Sequence, residues 1–273
     1  MEIRSLGNTN LEIIVDCMNQ SFQNYFVKIP SDVEFWANRY KAARVDYDLS
    51  FGIFDNEKLV AFIIHGIDIH NNEKTAFNTG TGVLEAYRGQ QLVDQMYDFA
   101  FPILRENGVS KCMLEVIDQN HRAVRVYERI GFQKDRFLRC FNGEFNDITL
   151  NSNFQEIDIY SIKESIIKFQ IFYSWDHTLD AILKGGEQFK TYNVNNESGT
   201  EIGYFVSNAI NNSLIQIEVF DGKNWDPVFG AVKKINPSIR INNVDDSRKD
   251  LLVAFKNSGL QNHVNQFEMT LFL

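Results

Sequence analysis

The sequence predicts an α/β protein in which a sheet of mixed direction is flanked by helices, with the arrangement duplicated along the chain. Three observations carry this expectation. Stretches rich in Phe, Ile and Val between residues 49 and 84 read as consecutive strands, and helix, strand, helix and strand follow them in that order. Tyr127-Glu-Arg-Ile-Gly131-Phe-Gln133 resembles Phe255-Lys-Asn-Ser-Gly259-Leu-Gln261 at an offset of 128 residues. Lys58-Leu-Val-Ala-Phe-Ile-Ile is likewise similar to Thr200-Glu-Ile-Gly-Tyr-Phe-Val.

Leu11, Ile14, Val15, Met18, Phe22 and Phe26 fall near helical spacing and predict an amphipathic helix over Leu11 to Phe26. A second helix runs from Asp32 to Arg44, with Ser31 or Asp32 as its cap. Leu49–Phe54 and Lys58–Asp68 read as a hairpin around Asp55-Asn56-Glu57-Lys58, and Ala76–Leu84 as a further strand. Gln90 to Asn107 is helical up to the stop at Gly108, with Pro102 marking a kink or a break. Lys111–Ile117 is a strand, Asn120–Ile130 a helix closed by Gly131, and Asp135–Phe141 a strand. The Asn-rich stretch from Asn142 to Asn153 reads as a linker. The expected domains are therefore 1–145 and 154–273.

The chain has 273 residues, enough for one large or two modest domains, and its apolar fraction of 44% supports a core. A formal charge of −9 argues against nucleic acid or an anionic membrane as partner. Cys17, Cys112 and Cys140 are odd in number and widely spaced, so neither a disulfide framework nor a zinc site is expected. The five histidines show no ligand spacing, so no metal is expected. The N-terminal residues lack the apolar core of a secretory signal, and no apolar run is long enough to span a bilayer. A cytoplasmic location follows as the expectation, and the oligomeric state stays open.

The chemistry is carried by Gly80-Thr-Gly-Val-Leu-Glu-Ala-Tyr-Arg88-Gly-Gln-Gln-Leu-Val93. A strand ends near Leu84, a turn follows, and a helix begins around Gln90. The first turn of a helix has unpaired N–H groups at the positive end of the helix dipole, which makes it an anion site. Arg88 adds a full charge, and Gly89 permits close backbone approach. A phosphate or pyrophosphate is the ligand implied.

Here the sequence resembles the GNAT superfamily of acyl-CoA-dependent N-acyltransferases. Val83-Leu84-Glu85 stands at the family's Val-x-Pro, and Arg88 to Val93 at its Arg/Gln-x-x-Gly-x-Gly/Ala loop. Asn120-His-Arg-Ala123-Val-Arg-Val-Tyr127-Glu-Arg-Ile-Gly131-Phe132 is similar to the family's Asn-x-x-Ala-x-x-Leu-Tyr-x-x-x-Gly-Phe. The resemblance covers residues 1–145 in element order and 78–132 in motif detail. It implies a mostly antiparallel central sheet and acetyl-CoA as co-substrate. Gly82, Val83 and Leu84 would hold the pantetheine and acyl carbonyl, and Arg88, Gly89, Gln90, Gln91, Leu92 and Val93 the pyrophosphate. Tyr127 would protonate the departing thiolate, with packing as its alternative use, and Asn120 would cap its helix or touch CoA. Gln91 replaces the family's first loop Gly and is tolerable only at helical φ, while Val93 replaces Gly or Ala and crowds the pyrophosphate.

Glu85 and Glu115 are the candidate general bases, alongside a water relay. Arg122, Arg125 and Arg129 share a helix face that meets CoA phosphates or solvent. Trp175 and Trp225 belong to the core or line an acceptor cleft. The second half lacks an Arg-Gly loop, and Arg248 stands where Asn120 maps, so that half is expected to be a degenerate copy without a CoA site. The expected activity is transfer of an acetyl group to a small-molecule or peptide amine. Amino acid, polyamine, antibiotic, peptide N-terminus and protein lysine all remain open as acceptors. The alternative is a non-catalytic CoA- or small-molecule-binding sensor.

Overall fold

The computed structural model describes residues 1–23, 26, 27, 29–146 and 153–273. Two compact units emerge. One comprises Met1–Val116, Asn120–Asp135 and Glu268–Leu273, and the other Ile117–Gln119 and Arg136–Phe267.

In the first unit β1 (Glu2–Ser5), α1 (Leu11–Ser21) and α2 (Val33–Ala42) precede β2 (Phe51–Asp55), β3 (Lys58–His70) and β4 (Glu73–Val83). Then come α3 (Leu92–Glu106), β5 (Lys111–Ile117) and α4 (His121–Ile130). Strands β1 to β4 pair antiparallel in chain order, and β4 pairs parallel with β5. The short, polar β1 has no sequence signal that separates it from a loop. α1 ends at Ser21, short of the expected Phe26, and residues 24 and 25 lie outside the described ones. Asp32 caps α2, its carboxylate accepting from the Phe35 N–H at 2.6 Å. Pro102 does not end α3, whose apolar face buries Leu92, Met96, Tyr97, Ala100 and Leu104. Pro102 itself is exposed, so water can satisfy the carbonyl that loses its N–H partner.

Next along the chain come β6 (Gln133–Glu144), in the second unit from Arg136 onward, β7 (Asn153–Ile157), α5 (Lys163–Ile166), α6 (Leu179–Gly185), β8 (Phe189–Asn195) and β9 (Glu201–Asn208). β10 (Ser213–Val219), α7 (Asp226–Ile235), β11 (Ser238–Asp245), α8 (Lys249–Asn257) and β12 (Gln261–Phe272) complete the chain. Strands β7 to β10 pair antiparallel, and β10 pairs parallel with β11. This repeats the β1-to-β5 order, as the paired sequence segments predict. The helix caps repeat as well: Asn120 before α4 has φ −80 and ψ 61, and Arg248 before α8 has φ −76 and ψ 61.

The stretch expected as a linker is structured at its start. Asn142–Glu144 lie in β6, where Asn142 and Glu144 pair with Arg240 and Ser238 of β11. Phe145 is buried and stacks on Phe229 at 5.0 Å. Apolar burial outweighs the Asn-rich composition here, and residues 147–152 of that stretch lie outside the described ones. Trp175 and Trp225 are buried core residues. Among the described residues no helix is long and apolar enough to cross a membrane.

His65, on β3, is sealed in the first unit at 1% exposure. Its Nδ1 lies 2.7 Å from the Leu49 carbonyl, which fixes the proton on that nitrogen, and Nε2 has no hydrogen-bond partner. Burial lowers its pKa to about 4, the Leu49 contact opposing that shift. Between about pH 6.5 and 4 the unfolded chain therefore binds a proton that the folded chain refuses. Stability falls as pH drops through that window, by about 3 kcal/mol at its lower end. Urea unfolding from pH 7.5 to 4 should show this slope, and His65→Gln should lack it. An imidazole that titrates near 6.5 by NMR would refute the assignment.

Candidate active site

Strands β4 and β5 run together for only four residue pairs, Thr75↔Lys111 to Asn78↔Leu114. Thr79 is then an extra residue in β4, because His65 faces Asn78 while Ile64 faces Gly80. Asn78 holds this bend. Its Oδ1 accepts the Gly80 N–H at 3.0 Å, and its Nδ2 lies 2.6 Å from Thr81 Oγ1 and 2.8 Å from the Tyr97 hydroxyl. Past the bend, the end of β4 faces a cleft of about 560 Å³ lying within the first unit.

Three elements wall this cleft. The first is the end of β4, through Thr81, Gly82 and Val83. A side chain at position 82 would sit 2.5 Å from the Phe62 ring and 3.0 Å from Ser21 Cβ, so the packing there requires glycine. The second is the start of α3. Gln95 N–H is the first amide to reach back within the helix, to the Gln91 carbonyl. The N–H groups of Leu92, Val93 and Asp94 thus have no intrahelical acceptor, and the side chain of the N-cap residue, Gln91, caps none of them; the Asp94 carboxylate lies against its own N–H. All three residues line the cleft. The third is α4, through Asn120, Ala123, Val126 and Tyr127.

Arg88 is a tether. Its Nη2 donates to the Ser21 carbonyl at 2.7 Å and its Nε to the Val83 carbonyl at 3.2 Å, tying the C-terminal end of α1 to the end of β4. Its charge stays at the cleft wall. Gly89 needs its glycine for φ of +83°, since a side chain there would meet nothing within 4 Å. Asn120 Oδ1 accepts the Ala123 N–H at 3.1 Å, so capping is its use in α4. Tyr127 is buried between Tyr97 and Phe132 at ring distances of 6.5 and 5.9 Å, and it lines the cleft. Packing and exposure to the site therefore coexist in this residue.

Gly82, Val83, Arg88, Gly89, Gln91, Leu92, Val93, Asn120 and Tyr127 all line one cleft. Leu84 and Gln90 are not in its wall: Leu84 N–H is spent on the Val60 carbonyl, and Gln90 is exposed. Of the candidate bases, Glu85 lines the cleft, whereas Glu115 on β5 is not among its lining residues. Arg122, Arg125 and Arg129 reach the cleft as a set, Arg129 in a bidentate pair with Asp94 at 2.7 Å for both bonds.

Sequence reasoning missed Asn78 as the lock on β4, Asp94 as partner of Arg129, and Ser21. The Ser21 hydroxyl is buried, in a residue 6% exposed that lines the cleft, with the Cys17 thiol one helical turn back as its neighbour. Their longest-range contacts span 19 to 67 positions of sequence and leave no local signature.

The second unit has the same skeleton with its fork filled. The ladder of β10 with β11 ends at Leu214↔Ile241. Beyond it the Tyr173 hydroxyl accepts the Ile217 N–H at 3.1 Å and donates to Glu218 Oε1 at 2.7 Å. Arg248 grips both oxygens of Glu218 at 2.8 and 2.7 Å, and its guanidinium lies over the Phe172 ring at 4.7 Å. The void left there is about 10 Å³, the size of one water.

Gln91 corrects the expectation that position 91 is helical: it sits at φ 57 and ψ 29, the left-handed region. The conformation costs a non-glycine residue about 1–2 kcal/mol, and glycine forfeits up to about 1 kcal/mol of that gain through backbone entropy. Gln91→Gly should leave stability unchanged or raise it by up to about 1 kcal/mol, and Gln91→Val should lower it by about 1–3 kcal/mol. Urea titration of the two variants measures the difference. Equal stability of the Gly and Val variants would show that no strain resides there.

Comparison with known proteins agrees with this geometry. Residues 12–132 match the model of the acetyltransferase (GNAT) family. N-alpha-acetyltransferase 30 of Schizosaccharomyces pombe is 24% identical over 86 residues, which are 31% of this chain and 57% of that relative. The match thus spans little more than half of the relative's length. A tandem GNAT protein from the clavulanic acid biosynthesis pathway superposes with a TM-score of 0.72 at 10% identity, covering 99% of this chain and 98% of that one. A GCN5-related N-acetyltransferase from Sphaerobacter thermophilus gives 0.69 at 10% identity, covering 99% and 95%. At these identities the structural likenesses speak for the fold. With the uncapped α3 terminus, the β4 edge and Tyr127 in one cleft, the family match identifies residues 12–132 as belonging to the acetyltransferase (GNAT) family, whose chemistry is acyl transfer to an amine.

Proposed function

We propose that the first unit transfers an acetyl group from acetyl-CoA to a primary amine by direct attack. The observation that carries the reading is the uncapped first turn of α3 beside the diverging end of β4. Unpaired amides, the helix dipole and Arg88 suit a pyrophosphate, and a strand edge suits the amides of a pantetheine arm. Bound there, acetyl-CoA supplies an acetyl thioester. The N–H groups of Leu92, Val93 and Asp94 hold its anionic end, and the backbone of Gly82 and Val83 orients the arm. The Tyr127 hydroxyl gives its proton to the leaving sulfur. Glu85, alone or through water, takes a proton from the amine. Burial pushes the Cys17 and Cys112 thiols up to about 12, so neither is a thiolate able to carry the acetyl group, which supports direct attack.

The fission-yeast relative's name refers to α-amino groups, which puts peptide N-termini beside small amines as acceptors to test. A reducing, cytoplasmic setting belongs to the same proposal and rests on three buried cysteines that form no disulfide among the described residues. Titration calorimetry with acetyl-CoA, followed by thiol release across a panel of amines, tests the reading. Arg88→Ala should weaken acetyl-CoA binding by about 1–3 kcal/mol, through the lost charge and the freed α1 end. Tyr127→Phe should lower kcat by about 10²–10⁴-fold with little change in affinity. Binding without turnover would favour the sensor reading, and no binding would end both.

The second unit, in this proposal, is a copy that has lost the site. Tyr173, Glu218 and Arg248 occupy with side chains the fork that β10 and β11 would otherwise offer a pantetheine arm. Calorimetry should give one acetyl-CoA per chain, and a stoichiometry of two would overturn this part.

A further inference from the structure

A carboxylate in the first turn of a helix stabilises the empty helix and competes with any anion bound there. Asp94 is such a group. It is the third residue of α3, lines the cleft, and lies beside the amides of Leu92 and Val93. Its carboxylate is gripped by Arg129 of α4, Nε on Oδ1 and Nη2 on Oδ2, both at 2.7 Å. That contact, foremost, holds the Asp94 pKa below its ordinary value, so the carboxyl is charged at neutral pH. Arg122 and Arg125, on the same wall, make no ion pair among the described residues. The Ser21 hydroxyl is buried in the same wall, beside the Cys17 thiol of its own helix.

We propose that Arg129 is a positioning residue that neutralises Asp94, so that the start of α3 presents its amides and a cationic wall to the anionic end of acyl-CoA. The inference rests on the acetyl-CoA reading above. Charge decides it. With the pair intact, Arg88, Arg122 and Arg125 leave the phosphate end positive despite Asp94. Without Arg129, a bare carboxylate faces the incoming phosphates across a few ångströms, where attraction turns to repulsion. The fork geometry of the guanidinium also fixes α4, and so Tyr127, against the first turn of α3.

A double-mutant cycle on acetyl-CoA affinity, read by calorimetry on the full chain, separates shielding from direct phosphate contact. At low ionic strength Arg129→Gln should weaken binding by about tenfold. Asp94→Asn should leave it unchanged or tighten it. The double variant should recover to within about threefold of Asp94→Asn, because the charge that needed shielding is gone. Arg129→Lys, which keeps the charge, should bind better than Arg129→Gln. Raising salt to about 0.5 M should shrink the Arg129→Gln defect. Thermal melts of each variant check that the fold persists. A double variant as weak as Arg129→Gln would mean that Arg129 meets the phosphates itself, and an unchanged affinity in Arg129→Gln would mean that the pair is inert. Either outcome overturns the inference and leaves the acetyl-CoA reading standing. A wild-type chain that binds no acetyl-CoA overturns both.

Discussion

A parallel pair of strands that parts after four residues leaves backbone amides and carbonyls on each inner edge, and the first unit is arranged around that parting. Beyond Asn78 and Leu114 the strands no longer serve one another. The extra residue at Thr79 turns β4 aside, and the Asn78 side chain, buried at 7% exposure, holds the turn through Gly80, Thr81 and Tyr97. Tyr97 is also the ring against which Tyr127 packs. One buried amide thus links the shape of the strand edge to the placement of the phenol. Gly82 follows from the same constraint, because α1 and Phe62 close on β4 too tightly for a side chain.

The electrostatics of the cleft are local and run against the chain's net charge of −9. Three cationic side chains and one ion pair surround a helix start whose first amides have no intrahelical acceptor. Net charge governs solubility and long-range steering, whereas an anion at a helix N-terminus responds to groups within a few ångströms. Arg88 illustrates the economy of such a site. Its hydrogen bonds go to two backbone carbonyls, one closing a helix and one ending a strand, and its side chain still lines the cleft.

The second unit keeps the skeleton of the first and fills its fork with side chains. The strand order, the parallel pair, the capping geometry and the glycine after the helix all recur. What differs is the content of the fork. A tyrosine hydroxyl takes an amide of β10, and a buried Arg–Glu pair completes the filling. A buried pair of this kind is held by its hydrogen bonds, and removing one partner would strand the other charge.

The sequence by itself determined the order of helices and strands of the first unit from α1 onward, the strand, turn and helix over residues 80–93 and the α4 motif, because each is written in consecutive residues. Periodicity marks the buried faces, and glycines mark turns at Gly89 and Gly131, where φ is positive. It also revealed the duplication, since Arg248 takes the backbone conformation of Asn120. Tertiary structure alone decided the rest. Gln91 is left-handed because the chain must enter α3 from that turn, a demand no propensity encodes. The supposed linker begins as strand because Phe145 finds Phe229, 84 residues on. The apparent solvent face of α4 became a cleft wall because α3 and β4 lie opposite it. Asn78, Asp94 and Ser21 acquired their places only once segments far apart in sequence met. A local pattern records what a residue does to its neighbours in the chain, and a site records what distant residues do to each other.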